Sequence, residues 1–260
     1  MQNIRLVPLA IAGALLAPLL AQAQFATGVQ SYSEGSGVTS GYNDPTVALG
    51  APAVYIGYQN ADPFNPPWQP NDIVGIGTGG SLTLSFNTPI QNSPANPFGI
   101  DFIVFGHAGF NEAADGTVAD GSFFTGGTAD VRVSVSADGI TFYKLNPALA
   151  PMVDGLYPND SSGNPHQPVN PSLTAADFVG KDIDGIRALY NGSGGGAGFD
   201  LSWALDENNQ SVFLPSVEYV RLDVLNGPAY IDAVSVVPEP STAALSIAGL
   251  ALLWLRRKVQ

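Results

Sequence analysis

The sequence predicts an all-β fold, an antiparallel β-sandwich of jelly-roll type, flanked by a signal peptide and a short C-terminal transmembrane helix. Three observations carry this expectation. Several short stretches alternate apolar and polar residues, the period-two pattern of a half-buried strand. With 30 glycines and 21 prolines in 260 residues, few uninterrupted runs are long enough for a helix, and turn residues separate the strand-like stretches. Cysteine is absent, so an apolar core rather than disulfides must hold the chain together.

Taken in order, residues 1–23 read as a signal peptide. Arg5 precedes an apolar run from Leu6 to Leu20, and Ala21-Gln22-Ala23 has the small-x-small form that signal peptidase accepts. Pro8, Gly13 and Pro18 interrupt the run and argue against an uncleaved anchor. The mature chain then starts near Gln24, outside the cytoplasm, and residues 24–236 are long enough for one all-β domain. Ser81-Leu82-Thr83-Leu84-Ser85-Phe86 and Asp130–Ser136 alternate as strands with one buried face. The second runs into Ala137-Asp138-Gly139-Ile140 and then Thr141–Leu145, which predicts a hairpin on an Asp-Gly turn. Ile100–Phe105 is apolar on both faces apart from Asp101 and suits a central strand. Ser172–Val179 is the one short helix candidate, with Asp177 three residues after Thr174 as in a capping box. The segment 192–198, rich in glycine, reads as a flexible surface loop, followed by a strand over Phe199–Trp203. Val217–Leu225 and Ala229–Val236, joined across Asn226-Gly227-Pro228, read as a final hairpin.

The tail, residues 237–260, has its own logic. Val237-Pro238-Glu239-Pro240 holds the backbone extended, because proline excludes both helix and sheet ladder there. Ser241–Leu255 is uncharged and, as a helix, spans about 22 Å against a hydrocarbon core of about 30 Å. Arg256, Arg257 and Lys258 follow at once and orient such a helix with its basic end in the cytoplasm. In that order at the C-terminus, the three features resemble the PEP-CTERM sorting domain. The resemblance implies recognition and cutting by an exosortase in a Gram-negative bacterium that makes extracellular polysaccharide. It also implies an inner-membrane intermediate, then release to the cell surface, outer membrane or extracellular matrix.

Five further stretches, Gly41–Pro52, Gly75–Ile90, Gly99–Phe110, Ala129–Leu145 and Val217–Val237, resemble bacterial surface proteins found with this kind of tail. That similarity implies a discoidin- or galactose-binding-like sandwich with no known reaction. Those proteins carry an acidic residue after the Val-Phe pair, where Gly106 and His107 stand here.

Charge narrows the function. Residues 24–236 hold five basic side chains against twenty-one acids, a net charge of −16, which disfavours nucleic acid and anionic lipid as partners. Most Asp-Gly pairs, at 115, 120, 138 and 184, read as turns. The two histidines, His107 and His166, sit in no hydrolase or zinc-protease motif, and His166 lies in a proline-rich loop that reads as solvated. The loop Tyr58–Trp68 places Tyr58, Phe64 and Trp68 among prolines, amides and carboxylates, a composition suited to stacking on sugar rings or to capping one end of the sandwich. A structural calcium ion is the one cofactor considered, with Asp44 and Asp232 as ligands brought together from distant parts of the chain. The competing expectation has Asp44 capping its turn and Asp232 facing solvent. The sequence thus points to a non-enzymatic exported protein that binds or builds the cell surface or polysaccharide matrix. A secreted polysaccharide-acting hydrolase, needing two facing carboxylates, is the alternative.

Overall fold

The computed structural model describes residues 24–114, 116–124 and 129–239. Twelve strands follow in chain order: β1 (Gly28–Ser33), β2 (Val74–Ile76), β3 (Ser81–Gln91), β4 (Phe102–Gly106), β5 (Gly109–Glu112), β6 (Ala119–Phe124), β7 (Asp130–Ser136), β8 (Tyr143–Leu145), β9 (Ala197–Phe199), β10 (Ala204–Leu205), β11 (Ser216–Asn226) and β12 (Ala229–Val236). Two helices, α1 (Ala175–Phe178) and α2 (Ile183–Tyr190), fall between β8 and β9. All the strand pairings are antiparallel. One sheet has the order β1-β3-β11-β7-β8-β10, the other β2-β12-β4-β9, and β5 with β6 forms a separate hairpin.

The alternation in the sequence explains how the two larger sheets meet. Leu82 and Leu84 of β3, Val133 and Val135 of β7, and Val220 and Leu222 of β11 share one buried cluster with Val74, Ile76, Phe102, Val104, Ile231 and Val234 of the other sheet. Each such side chain contributes about 1.5–3 kcal/mol by leaving water. A second cluster, with Phe110, Tyr157, Phe178, Ile186 and Tyr190, ties the β5–β6 hairpin to the two helices. The N-terminal segment runs beside β12: Ala26 N donates to Val234 O at 3.0 Å and Val236 N to Gln24 O at 2.9 Å.

Several local expectations hold. The hairpin of β7 and β8 forms, and α1 has the expected capping box, with Thr174 N and Oγ1 donating to Asp177 Oδ2 at 2.7 and 2.9 Å. β8 starts only at Tyr143, because Asp138 Oδ1 accepts Ile140 N and Thr141 N, both at 2.8 Å, and holds those residues in the turn.

Others are corrected. β11 and β12 are not hairpin partners: β11 lies between β3 and β7 and β12 between β2 and β4, so Asn226-Gly227-Pro228 crosses from one sheet to the other. The glycine run is not a surface loop, since residues 193–197 are buried. Gly195 and Gly196 have φ of 84° and 81°, and a Cβ at Gly196 would strike Ile103 and Phe105, so this segment needs glycine to lie against the sheet. After β9 the chain enters a 3-10 turn, Leu201–Trp203, started by Asp200 Oδ1 accepting Ser202 N at 2.7 Å. α2 was not expected, and it begins where Asp182 Oδ1 accepts Gly185 N at 2.8 Å.

The expected signal peptide, residues 1–23, lies outside the described residues, as do Pro240, the hydrophobic segment 241–255 and Arg256, Arg257 and Lys258. Among the described residues no helix is long and apolar enough to cross a membrane. Of the sorting motif, Val237 is buried among Ile100, Ile103, Phe105 and Ala233, and its N–H donates to Asp101 O at 2.9 Å, whereas Glu239 is exposed.

Candidate functional site

A concavity of about 350 Å³ opens beside the second sheet, where the segment after β1, the loop before β2, the end of β4 and the start of β12 converge. Tyr42, Trp68, His107 and Tyr230 supply its rings, and Thr39, Ile73 and Pro228 complete the wall. Tyr230 sits on β12 opposite Gly75 of β2, and its ring lies 3.1 Å from where a Gly75 Cβ would be. A larger residue at 75 would also overlap Val38, so glycine in the strand makes room for the aromatic ring.

The rings are fixed by their polar ends. Tyr42 Oη donates to Trp68 O at 2.6 Å, and the Tyr42 and Tyr230 rings meet edge to face with centroids 5.4 Å apart. Tyr230 Oη donates to Thr39 Oγ1 and accepts from Thr39 N, both at 3.1 Å. Burial, followed by the neighbouring Tyr230 and Asp72, raises the Tyr42 phenol above its ordinary range. The His107 ring packs 4.6 Å from Tyr230, and its Nδ1 lies 2.8 Å from Asp154 Oδ2.

Asp154 organises this corner. It is 6% exposed, and its Oδ1 accepts His107 N at 2.8 Å and Ala108 N at 2.7 Å. A Cβ at Gly106 would overlap the same carboxylate. This accounts for the Gly-His pair after β4: the acid that holds this corner comes from a distant loop, and glycine lets it approach.

The three aromatics expected to act together are divided. Trp68 is 50% exposed and lines the concavity. Phe64 turns inward against Phe110 at 6.3 Å, part of the second cluster. The cause is Asp62, whose Oδ1 accepts Phe64 N and Asn65 N at 2.9 Å and folds the loop back. Tyr58 is 62% exposed, and its hydroxyl donates to Asn65 Oδ1 at 3.4 Å. Tyr42, His107 and Tyr230 were not recognised from the sequence as site residues, because they come from three separate segments.

Asp44 and Asp232 each hold protein donors. Asp44 Oδ1 accepts Thr46 N at 2.9 Å and Thr46 Oγ1 at 2.6 Å, capping the 3-10 turn Pro45–Ala48, and these bonds hold its carboxyl below the usual range. Asp232 does not face solvent: it is 1% exposed, sits at an irregularity in the β12–β4 register, and accepts Ala53 N at 3.0 Å and Asn159 Nδ2 at 2.9 Å. Burial pushes its carboxyl well above the ordinary range. Among the described residues no three His, Asp or Glu side chains gather as a metal-binding group.

His166 is half-buried rather than solvated. Its ring packs at a tilt against Phe25 with centroids 4.5 Å apart, and Nδ1 lies 2.9 Å from Val236 O, so Nδ1 carries the proton there. Burial lowers its pKa. It links the loop 158–170 to the end of β12, a structural role.

The concavity therefore offers ring faces, hydroxyls and an imidazole held by a buried carboxylate, a set suited to stacking on a sugar and hydrogen bonding its hydroxyls. No protein-family model matches the chain, and no curated protein is similar to it.

Proposed function

We propose that this is a non-enzymatic exported protein that binds polysaccharide at the cell surface or in the exopolysaccharide matrix. The observation that carries the reading is the aromatic concavity of Tyr42, Trp68 and Tyr230, a partly exposed platform of ring faces beside hydroxyl groups. Its lining among the described residues has no carboxylate, unlike the paired acids of a glycosidase. The strand order supports a jelly roll. With β1, β10 and the β5–β6 hairpin set aside as additions, eight strands remain as two interleaved rows, β2-β12-β4-β9 and β3-β11-β7-β8, in which consecutive strands repeatedly change sheet.

In this reading signal peptidase removes residues 1–23, and an exosortase-type enzyme cuts near Val237-Pro238-Glu239-Pro240, releasing the domain from a membrane-held intermediate. The destination is the surface, outer membrane or matrix of a Gram-negative bacterium. A polysaccharide-acting hydrolase is the second reading, favoured by one observation: His107 at the wall of the concavity is an imidazole oriented from behind by the buried Asp154, of the kind used in acid–base chemistry. Incubating the protein with the organism's own polysaccharide separates the two. Retention of protein without shortening of the polymer supports binding, and depolymerisation that His107→Ala abolishes supports the hydrolase.

A further inference from the structure

The described residues hold five cations, Arg132, Lys144, Lys181, Arg187 and Arg221, in a strongly acidic chain. Three of them, Arg132, Lys144 and Arg221, line a single concavity of about 340 Å³ at the larger sheet. Register explains the gathering. Arg221 of β11 pairs with Ser134 of β7, and Ser134 pairs with Lys144 of β8, so Arg221, Ser134 and Lys144 form one row across neighbouring strands on one face. Arg221 and Lys144 are thus two strand spacings apart, about 10 Å. In the next row Asp223 pairs with Arg132. The apolar core takes the alternate residues Val133, Val135, Val220 and Leu222, so the charged row points away from the core.

The charges are ordered rather than merely crowded. Asp223 Oδ1 accepts Arg221 Nε at 2.8 Å and Nη2 at 2.7 Å, and its Oδ2 accepts Arg132 Nη2 at 3.2 Å. One carboxylate thereby fixes two guanidinium groups and leaves part of their donor capacity unused. Arg221 Cζ also lies 5.6 Å from the Phe142 ring centroid, where the ring holds it in place. Lys144 forms no ion pair with the described carboxylates. At the other edge stand Asp206 and Glu207.

We propose that this face binds an acidic polysaccharide, with uronate carboxylates held by Arg221 and Lys144 and the sugar hydroxyls donating to Glu207 and to Asp206 Oδ2, Asp206 Oδ1 being taken by Asn208 N and Gln210 N at 2.8 Å. The mixed lining selects the ligand class. A uronate ring carries a carboxylate for the cations, hydroxyls for the acids and a ring face for Phe142. An acidic peptide backbone lacks the hydroxyls. The site is separate from the aromatic concavity, and it rests on the polysaccharide-binding reading only in its choice of polymer.

The test is affinity electrophoresis of the protein purified from cells expressing the full chain, in gels containing polygalacturonate, the same polymer with its carboxyl groups reduced to alcohols, or polyglutamate. The proposal expects retardation by polygalacturonate alone, weakened by salt, with Lys144→Gln and Arg221→Gln each lowering affinity about tenfold or more. Lys181→Gln, which removes an exposed cation outside this concavity, should leave this retardation unchanged. If Arg221→Gln fails to fold, Lys144→Gln, which breaks no ion pair, carries the test. Absence of retardation, equal retardation by the reduced polymer, or retention unaffected by Lys144→Gln would overturn the proposal. Equal retardation by polyglutamate would overturn it in favour of an acidic peptide. If polygalacturonate fails while the native polymer is still held in a Trp68-dependent way, only this site is refuted.

Discussion

Asp154→Ala should be among the most damaging single changes outside the apolar core, and its size follows from what the carboxylate touches. Removing it leaves His107 N and Ala108 N, now at 2.8 and 2.7 Å from Oδ1, without an acceptor in a corner where Asp154 is 6% exposed. Each of the two orphaned donors costs about 1–3 kcal/mol, and the lost His107 contact adds a similar amount, for a total of about 3–9 kcal/mol. In a domain of this size, at about 2–4 °C per kcal/mol, even the lower end lowers Tm by about 6–12 °C. Asp154→Asn retains one oxygen for the two N–H groups and should cost about 1–2 kcal/mol. Gly106→Ala, which pushes a methyl group into the same carboxylate, should be destabilising as well. Urea unfolding followed by tryptophan fluorescence measures all three. A midpoint for Asp154→Ala equivalent to less than about 1 kcal/mol of destabilisation would refute the role given to this carboxylate.

Trp68→Ala should reduce retention on polysaccharide with a Tm loss under about 3 °C, because the ring is half exposed and only its backbone oxygen receives the Tyr42 hydrogen bond; a large fall in Tm would mark it as a core cap. Burial raises the Asp101 carboxyl to about 6, against the opposing effect of its donors from Ser93, Leu201 and Asn96. The folded state therefore holds a proton that the unfolded state releases, and the associated stability is full below pH about 4 and is lost as pH rises through about 6, amounting to about 3 kcal/mol; chemical unfolding from pH 4 to 7 should show this step in wild type and not in Asp101→Asn. Val237 is anchored by burial and by its bond to Asp101 O, so processing should leave Val237 on the mature protein and remove Arg256, Arg257 and Lys258; intact Gln260 on the extracellular protein by mass spectrometry would reject the sorting proposal.

Alternation in β3 and β7 and the Asp-Gly turn at Asp138 were readable because each depends on neighbours along the chain. Sheet membership was not. Val217–Leu225 and Ala229–Val236 look like hairpin arms locally, yet both sides of β11 are taken by β3 and β7, a fact of long-range pairing. α2 was hidden because Asp184-Gly185 has the composition of a turn, and the helix depends on the Asp182 cap and on burying Ile186 and Tyr190. The glycine run reads as a loop until Ile103 and Phe105 are seen against it. Trp68 could be singled out from its loop, whereas its partners Tyr42 and Tyr230 lie in ordinary strand and turn contexts far away in sequence. The Arg132, Lys144 and Arg221 cluster had a weaker signal: a few cations on strands of one sheet, visible only once the register is known.

The most direct test of the polysaccharide-binding account is one equilibrium measurement with two readouts, in which the protein is mixed with exopolysaccharide purified from its own source. Bound protein is quantified by co-sedimentation and polymer length by size-exclusion chromatography, for wild type and for Trp68→Ala combined with Tyr230→Ala. The account predicts saturable binding by wild type, at least about tenfold weaker binding by the double variant, and unchanged polymer length. Absence of wild-type binding, equal binding by the double variant, or progressive shortening of the polymer would contradict it.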